Sequence, residues 1–153
     1  MSMELYILSD WQLSSIGAWQ RTIDAQRFPL QLSNRIPFAA VRGALPVQFR
    51  DKSTAFECDH WNASTLIAES PEIDFDRQWK CALAFRWGAD AYAGAAAYLA
   101  GSAYAQATGG VLLDCEEGKI ISAKRAAEIG FDMERSIPMI EAAVRKAIEQ
   151  FRK

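Results

Sequence analysis

The tetrapeptide Glu57-Cys58-Asp59-His60 is the densest group of side chains in this chain that could carry out chemistry. Alternation along an extended strand places Cys58 and His60 on one face and Glu57 and Asp59 on the other. At most two of the four can bind the same metal ion, and the sequence offers no second group of cysteine and histidine to complete a tetrahedral site. A Cys58–His60 nucleophile pair lacks a surrounding motif. We therefore predict no metal site, with Cys58 in the core and His60 hydrogen-bonded at the strand end.

Glu57 and Asp59 lie two residues apart on the same face of this predicted strand. Paired carboxylates can act as general acid and base when burial moves their pKa values apart. Basic residues on other predicted strands would instead neutralise them as cross-strand partners, namely Arg50, Lys80 and Arg86. We expect a salt-bridged sheet face and assign no catalytic residue. The alternative is a small enzyme or ligand-binding domain that holds Glu57, Asp59 and Arg86 in a cleft. No glycine-rich phosphate-binding motif occurs, so no cofactor is predicted.

Acidic charge is concentrated in one segment of the chain. The whole protein has a net charge of −2, whereas residues 51–76 contain seven acidic residues and one lysine. The absence of a basic stripe argues against nucleic-acid binding, and no apolar run reaches the roughly 20 residues of a membrane helix. Exposed aromatic side chains beside acidic ones are typical of protein-binding hot spots. The predicted partner-binding residues are Glu57, Asp59, Trp61, Glu69, Glu72, Asp74 and Asp76.

The N-terminus and the cysteines predict a cytoplasmic protein. The sequence starts without the basic and apolar regions of a secretory signal. It contains three cysteines with no Cys-x-x-Cys spacing, which favours free thiols in a reducing compartment.

Hydrophobic periodicity predicts a single α+β domain over residues 1–153. Its mixed or antiparallel sheet has about five to seven strands. Helices pack on the sheet, and a hairpin joins its third and fourth strands. The predicted strands are Leu5–Ser9, Leu30–Leu32, Val47–Arg50, Thr54–Trp61, Trp79–Gly88, Val111–Leu113 and Lys119–Ile121.

The stretch from Trp79 to Lys119 predicts a strand, an alanine-rich helix and a second strand. Asp90 caps the helix and Gly109-Gly110 ends it, as expected for a left-handed C-cap. A strand–helix–strand unit of this length favours a crossover between parallel strands, although the second strand could also pair elsewhere. Small side chains along this helix indicate close packing.

Two helices are predicted after the last strand. Ser122 caps a short helix that ends near Ile129 and is closed by Gly130. Proline in the first turn then opens a C-terminal amphipathic helix at Ser136-Ile137-Pro138. An apolar stripe follows helical spacing along it. Its members are Ile137, Ile140, Val144, Ile148 and Phe151.

Three segments around the alanine-rich helix carry a resemblance. Phe85–Gly88, Thr108–Val111 and Asp114–Gly118 together resemble a pattern found in small bacterial α+β proteins. Some of those proteins are similar to immunity proteins of toxin systems. The resemblance covers roughly a quarter of the chain and carries over no functional residue.

Three hypotheses for function follow. The first is a cytoplasmic interaction module, in the specific case an immunity protein that neutralises a toxin with a basic surface through the acidic, aromatic-flanked segment. The second is the cleft with Glu57, Asp59 and Arg86. The third is a subunit that homo-oligomerises through the smooth alanine-rich helix.

Overall fold

Seven strands and four α-helices make up the computed structural model, which describes residues 2–152. The strands are β1 (Met3–Ser9), β2 (Leu30–Leu32), β3 (Ala44–Phe49), β4 (Lys52–Asn62), β5 (Cys81–Trp87), β6 (Val111–Asp114) and β7 (Lys119–Ile121). The helices are α1 (Ile16–Ala25), α2 (Ala63–Glu69), α3 (Ala91–Thr108) and α4 (Ala123–Phe151). The predicted α+β class and the β3–β4 hairpin are confirmed. Within the described residues, no helix combines the length and apolarity needed to cross a membrane.

The strands form one sheet in the order β2-β3-β4-β5-β1-β6-β7, and every neighbouring pair is antiparallel. Strand β1 lies between β5 and β6 and is antiparallel to both. The two strands joined by α3 therefore run in the same direction but are not neighbours. The expected crossover unit is present, with the N-terminal strand inserted at its centre.

The two faces of the sheet are covered differently. Helices α1, α3 and α4 pack on one face in the main core, whereas α2 covers part of the other face. Strand β5 shows why both faces can be covered. Leu83, Phe85 and Trp87 enter the main core, while Ala82 and Ala84 lie under α2. The small residues of this strand let α2 approach the second face of the sheet.

Helix α3 is buried along almost its whole length. The side chain of Asp90 accepts a hydrogen bond from the backbone of Tyr92 at its start, and Gly109 ends it with φ +68°. Both caps agree with the sequence prediction. Since the sheet, α1 and α4 cover this helix, its smooth surface serves internal packing and offers no free face for self-association.

The two helices predicted after Ser122 form a single helix, α4. Ser122 caps it as expected, but neither Gly130 nor Pro138 interrupts it. Gly130 lies against α3, where an added Cβ atom would stand 3.0 Å from the Leu99 side chain and 3.2 Å from the Ala95 carbonyl oxygen. A side chain here would have to displace Leu99 slightly, so glycine allows a close helix–helix contact, although its sequence context resembles a helix end. Pro138 stays inside the helix at the point where α4 leaves the core.

Gly94 gives the sharpest test of this packing. A Cβ atom on Gly94 would stand 2.5 Å from Met133 Cε and 2.8 Å from Trp87 Nε1. We expect Gly94→Ala to lower the free energy of unfolding by about 1–3 kcal/mol through overpacking. The same change at Gly17 meets nothing closer than 3.6 Å, so it should be neutral or stabilising by up to about 1 kcal/mol. Urea denaturation of both variants measures the difference, and equal effects would contradict the close α3–α4 contact.

Candidate functional site

A cleft of about 380 Å³ opens on the sheet face opposite α3. We call it the acidic cleft. Strands β1, β4 and β5 form its floor, and α2 with the segment after it forms one wall. Its lining residues are Glu4, Tyr6, Trp61, Leu66, Glu69, Ser70, Glu72, Ile73, Arg86, Leu113, Cys115 and Gly118.

The register of the three central strands assembles the floor. Arg86 on β5 lies opposite Glu4 on β1 and opposite Glu57 on β4, so these three charged residues form one row across the sheet. Two residues further along β1, Tyr6 contacts Trp61 edge-on with ring centroids 5.4 Å apart. Because side chains alternate along each strand, Tyr6 and Glu4 share the face on which α2 packs.

Helix α2 is held over this face by its cap and by two buried residues. The Asn62 side chain accepts a hydrogen bond from the backbone N–H of Thr65, which fixes the start of the helix directly after β4. Ala63 and Leu66 are buried against the alanines of β5. The exposed side of α2 then carries Glu69 to the edge of the cleft.

A hydrogen-bonded network fixes the polar end of the cleft. Glu4 accepts a hydrogen bond from the Tyr6 hydroxyl at 3.0 Å and lies 3.1 Å from an Arg86 nitrogen. Burial, followed by the hydrogen bond to Glu4 and its negative charge, raises the pKa of Tyr6. Tyr6 therefore remains a neutral donor at physiological pH, and both oxygens of Glu4 are engaged.

Acidic groups outnumber basic ones around the cleft. Glu4, Glu69 and Glu72 line it together with one basic residue, Arg86, which Glu4 already neutralises. Glu69 and Glu72 are exposed and are available to a ligand. Trp61, 38% exposed, stands beside them with its ring supported by Tyr6. The two carboxylates and the tryptophan together suit a ligand whose cationic group lies next to an apolar or aromatic surface.

Cys115 also lines the acidic cleft, but it is a poor nucleophile. Desolvation, followed by the charges of Glu4, Asp114 and Glu116, raises the pKa of this thiol to about 11. Since the thiolate is the reactive form, Cys115 is largely protonated at neutral pH.

The structure brings together only some of the predicted binding residues. Trp61, Glu69 and Glu72 line the acidic cleft with Arg86, and Glu57 is next to Arg86 in the strand register. Asp59 instead accepts a hydrogen bond from the backbone N–H of Gly43 at 2.9 Å. It lines a separate cavity, so the trio of Glu57, Asp59 and Arg86 does not converge on one cleft.

Asp74 and Asp76 belong to a turn outside the acidic cleft. The Asp74 carboxylate accepts a hydrogen bond from the backbone N–H of Asp76, which has φ +64°. Asp51 lies elsewhere, in the cavity beside Tyr92 and Glu134. The acidic segment of the sequence is thus divided among separate places on the surface.

Cys58 and His60 have structural roles, as the sequence analysis expected. Cys58 is completely buried, and burial raises the pKa of its thiol. His60 Nε2 lies 2.8 Å from the Phe38 carbonyl oxygen, and the two rings pack edge-on. Among residues 2–152, no three histidine, cysteine, aspartate or glutamate side chains are grouped to hold a metal ion.

Glu4, Tyr6 and Cys115 line the acidic cleft but were not among the residues predicted from the sequence. Glu4 and Tyr6 are two residues apart on a strand, so alternation alone places them on one face. Alternation does not tell which strands are the neighbours of β1. In the sheet β1 lies between β5 and β6, which are far from it in the sequence.

Buried tyrosines predict a loss of stability at alkaline pH. Burial raises the pKa of Tyr104 to about 12, and burial with a 2.8 Å hydrogen bond to Asp114 raises the pKa of Tyr98. The folded state therefore retains protons that the unfolded chain releases near pH 10. The free energy of unfolding should fall above about pH 10, by up to about 1.4 kcal/mol per pH unit for each tyrosine.

Urea denaturation between pH 8 and pH 12 measures this decline. Tyr98→Phe removes one of the titrating groups and should make the slope shallower, although it also removes the hydroxyl donor to Asp114 and lowers stability at every pH. A free energy of unfolding that stays constant up to pH 12 would contradict the assignment of these tyrosines as buried neutral side chains.

Comparisons with protein-family models, curated proteins and solved structures found no match to this chain. The chemistry of the acidic cleft therefore carries the functional argument. That chemistry consists of two exposed carboxylates, a supported tryptophan and a protonated thiol.

Proposed function

We propose that this protein is an interaction module that binds a partner protein with a basic surface through the acidic cleft. The observation that carries the proposal is the convergence of Trp61, Glu69 and Glu72 on one cleft. Glu69 and Glu72 have no ion-pair partner among the described residues. A basic side chain of the partner would supply one.

Electrostatics supports a protein partner with lysine or arginine at its surface. Exposed carboxylates around a concave surface attract a cationic partner from a distance and accelerate its association, most strongly at low ionic strength. Charged residues at the rim contribute more to this steering than to the final affinity. Glu69 and Glu72 lie at the rim and should act in this way.

Trp61 would supply the apolar contact. A partly exposed tryptophan whose ring already packs on Tyr6 is held in place before binding, so little side-chain entropy is lost when a partner covers it. Interface tryptophans commonly contribute 2 kcal/mol or more when they are central to the contact. An arginine of the partner could also stack on the indole face.

An immunity protein is the specific form of this function that the sequence resemblance favours. In that case the partner is a toxin whose catalytic or nucleic-acid-binding surface is basic, and covering that surface neutralises it. The three free cysteines support action in a reducing compartment such as the cytoplasm.

A ligand-binding role for the same cleft is the second candidate. Its volume of about 380 Å³ lies within the range of small-molecule sites, and Arg86 and Glu4 form an ion pair on its floor. A small ligand would be bound by this pair. A partner protein depends on the rim and on Trp61.

Charge reversal at the rim tests the proposal. A Glu69→Lys/Glu72→Lys variant should slow association with the partner about tenfold or more at low salt, because it removes the attraction and adds repulsion. Asp24→Lys/Asp51→Lys, which makes the same change in net charge away from the cleft, should retain near-normal binding. Tagged wild-type and variant proteins would be used for affinity capture in source-cell lysate, followed by association kinetics with the purified partner.

Recovery of one basic protein in equal stoichiometry by the wild type and the control, but not by the cleft variant, would support the proposal. Trp61→Ala should weaken the same complex mainly by faster dissociation. Equal capture by all variants would overturn it. Binding of a small molecule that is lost in Arg86→Ala but kept in the rim variant would favour the second candidate.

A further inference from the structure

The second half of α4 carries an apolar stripe that no other part of residues 2–152 covers. From Pro138 to Arg152 every residue is exposed. Ile140 is 51% exposed, Val144 53% and Phe151 93%. A lone helix of about 15 residues is only marginally stable in water. Pro138 further weakens the junction with the packed half, because it cannot donate a hydrogen bond to the Glu134 carbonyl.

This stripe continues the seam on which α3 packs. Apolar or small residues recur along α4 at alternating spacings of three and four, the pattern of a helix-pairing seam. The first members of the seam are Ala123, Ala126, Gly130, Met133 and Ile137, and they belong to the main core. The last members are Ile140, Val144, Ala147 and Phe151, and they are exposed.

Helix α3 fills the first part of the seam and then ends. Gly94 lies beside Met133, and Ser102 donates a hydrogen bond to the Ala123 carbonyl, so α3 and α4 are antiparallel. The first residue of α3, Ala91, lines a cavity with Ile140. A further helix placed end to end with α3 would therefore continue the same packing along the exposed half of α4.

We propose that the exposed half of α4 pairs with the same segment of a second copy of this chain, antiparallel to it. When the seam residues of the two helices interleave, Ile140 packs against Phe151 of the second copy and Val144 packs against its Ala147. The second copy's α4 then runs in the direction of α3. Its negative C-terminal end meets the positive N-terminal end of α3, which is electrostatically favourable.

Charge complementarity selects a second copy in this orientation. Measured around the helix from Val144, Glu141, Arg152 and Arg145 lie on the same edge, about 60°, 80° and 100° away. In the antiparallel pair the two Glu141–Arg152 attractions outnumber the one Arg145–Arg145 repulsion at the centre. An antiparallel pair brings the same edge of both helices together. Measured along the helix axis, Glu141 then lies within about 3 Å of Arg152 of the second copy. A parallel pair would bring this edge against Ala143 and Gln150, which carry no charge.

The size of the contact predicts a reversible dimer. A seam of about 14 residues is about 21 Å long, and two such helices bury less than the roughly 1,200 Å² of a stable interface. Association should therefore depend on protein concentration. The paired surface lies on α4, on the other side of the sheet from the acidic cleft, so the dimer is independent of the proposed partner-binding function.

Sedimentation equilibrium of the full chain over a wide range of concentration tests this proposal. We expect the mass to rise from 17.0 kDa towards twice that value. Val144→Asp, at an exposed position, should leave the circular dichroism of the folded domain largely unchanged and weaken dimerisation at least tenfold. Glu141→Arg should also weaken it at least tenfold, and Glu141→Arg/Arg152→Glu should restore it. Glu149→Arg, on the polar side of the same helix, is the matched control and should have little effect.

A mass of 17.0 kDa at every concentration would overturn the proposal. Loss of dimerisation in Glu141→Arg without rescue by the double exchange would overturn the antiparallel register. Flotation of the monomer with phosphatidylglycerol vesicles, abolished by Val144→Asp, would show that the stripe binds a membrane surface instead of a second copy.

Discussion

Helix α3 can occupy the centre of this protein only because its side chains are small. It lies between the sheet and α4, and at Gly94 and Gly130 the two helices come too close for a Cβ atom to fit without displacing a neighbour. Each interior glycine costs about 1 kcal/mol of helix propensity. Close packing against large neighbours such as Trp87 and Leu99 offsets that cost, because atoms at short range gain dispersion attraction.

This close contact determines where the rest of the chain can go. With α1, α3 and α4 on one face, the other face of the sheet is left to the short helix α2 and the segment after it. These cover only part of that face. The uncovered part, next to Tyr6 and Arg86, becomes the acidic cleft. The site is thus the gap that results from uneven coverage of a seven-stranded sheet.

The two candidate surfaces differ in chemistry as well as in position. The acidic cleft is concave and charged, and its tryptophan is held by an aromatic contact before any partner binds. The exposed half of α4 is convex, and it carries an apolar stripe with both acidic and basic residues along one edge. Charged rims favour fast and selective encounter with a different protein, whereas a self-complementary edge favours a second copy of the same chain.

The sequence by itself determined the elements of this fold, because hydrophobic periodicity and caps are local signals. All seven strands and the cap of α3 at Asp90 could be predicted in this way. Tertiary structure decided the rest. It kept Gly130 inside one long helix, since close packing on α3 outweighs its local tendency to end it, and Pro138 lies in the same helix where α4 leaves the core. It also brought Glu4 and Tyr6 into one cleft with Trp61 and Arg86, since the insertion of β1 between β5 and β6 is a long-range pairing that no local pattern encodes.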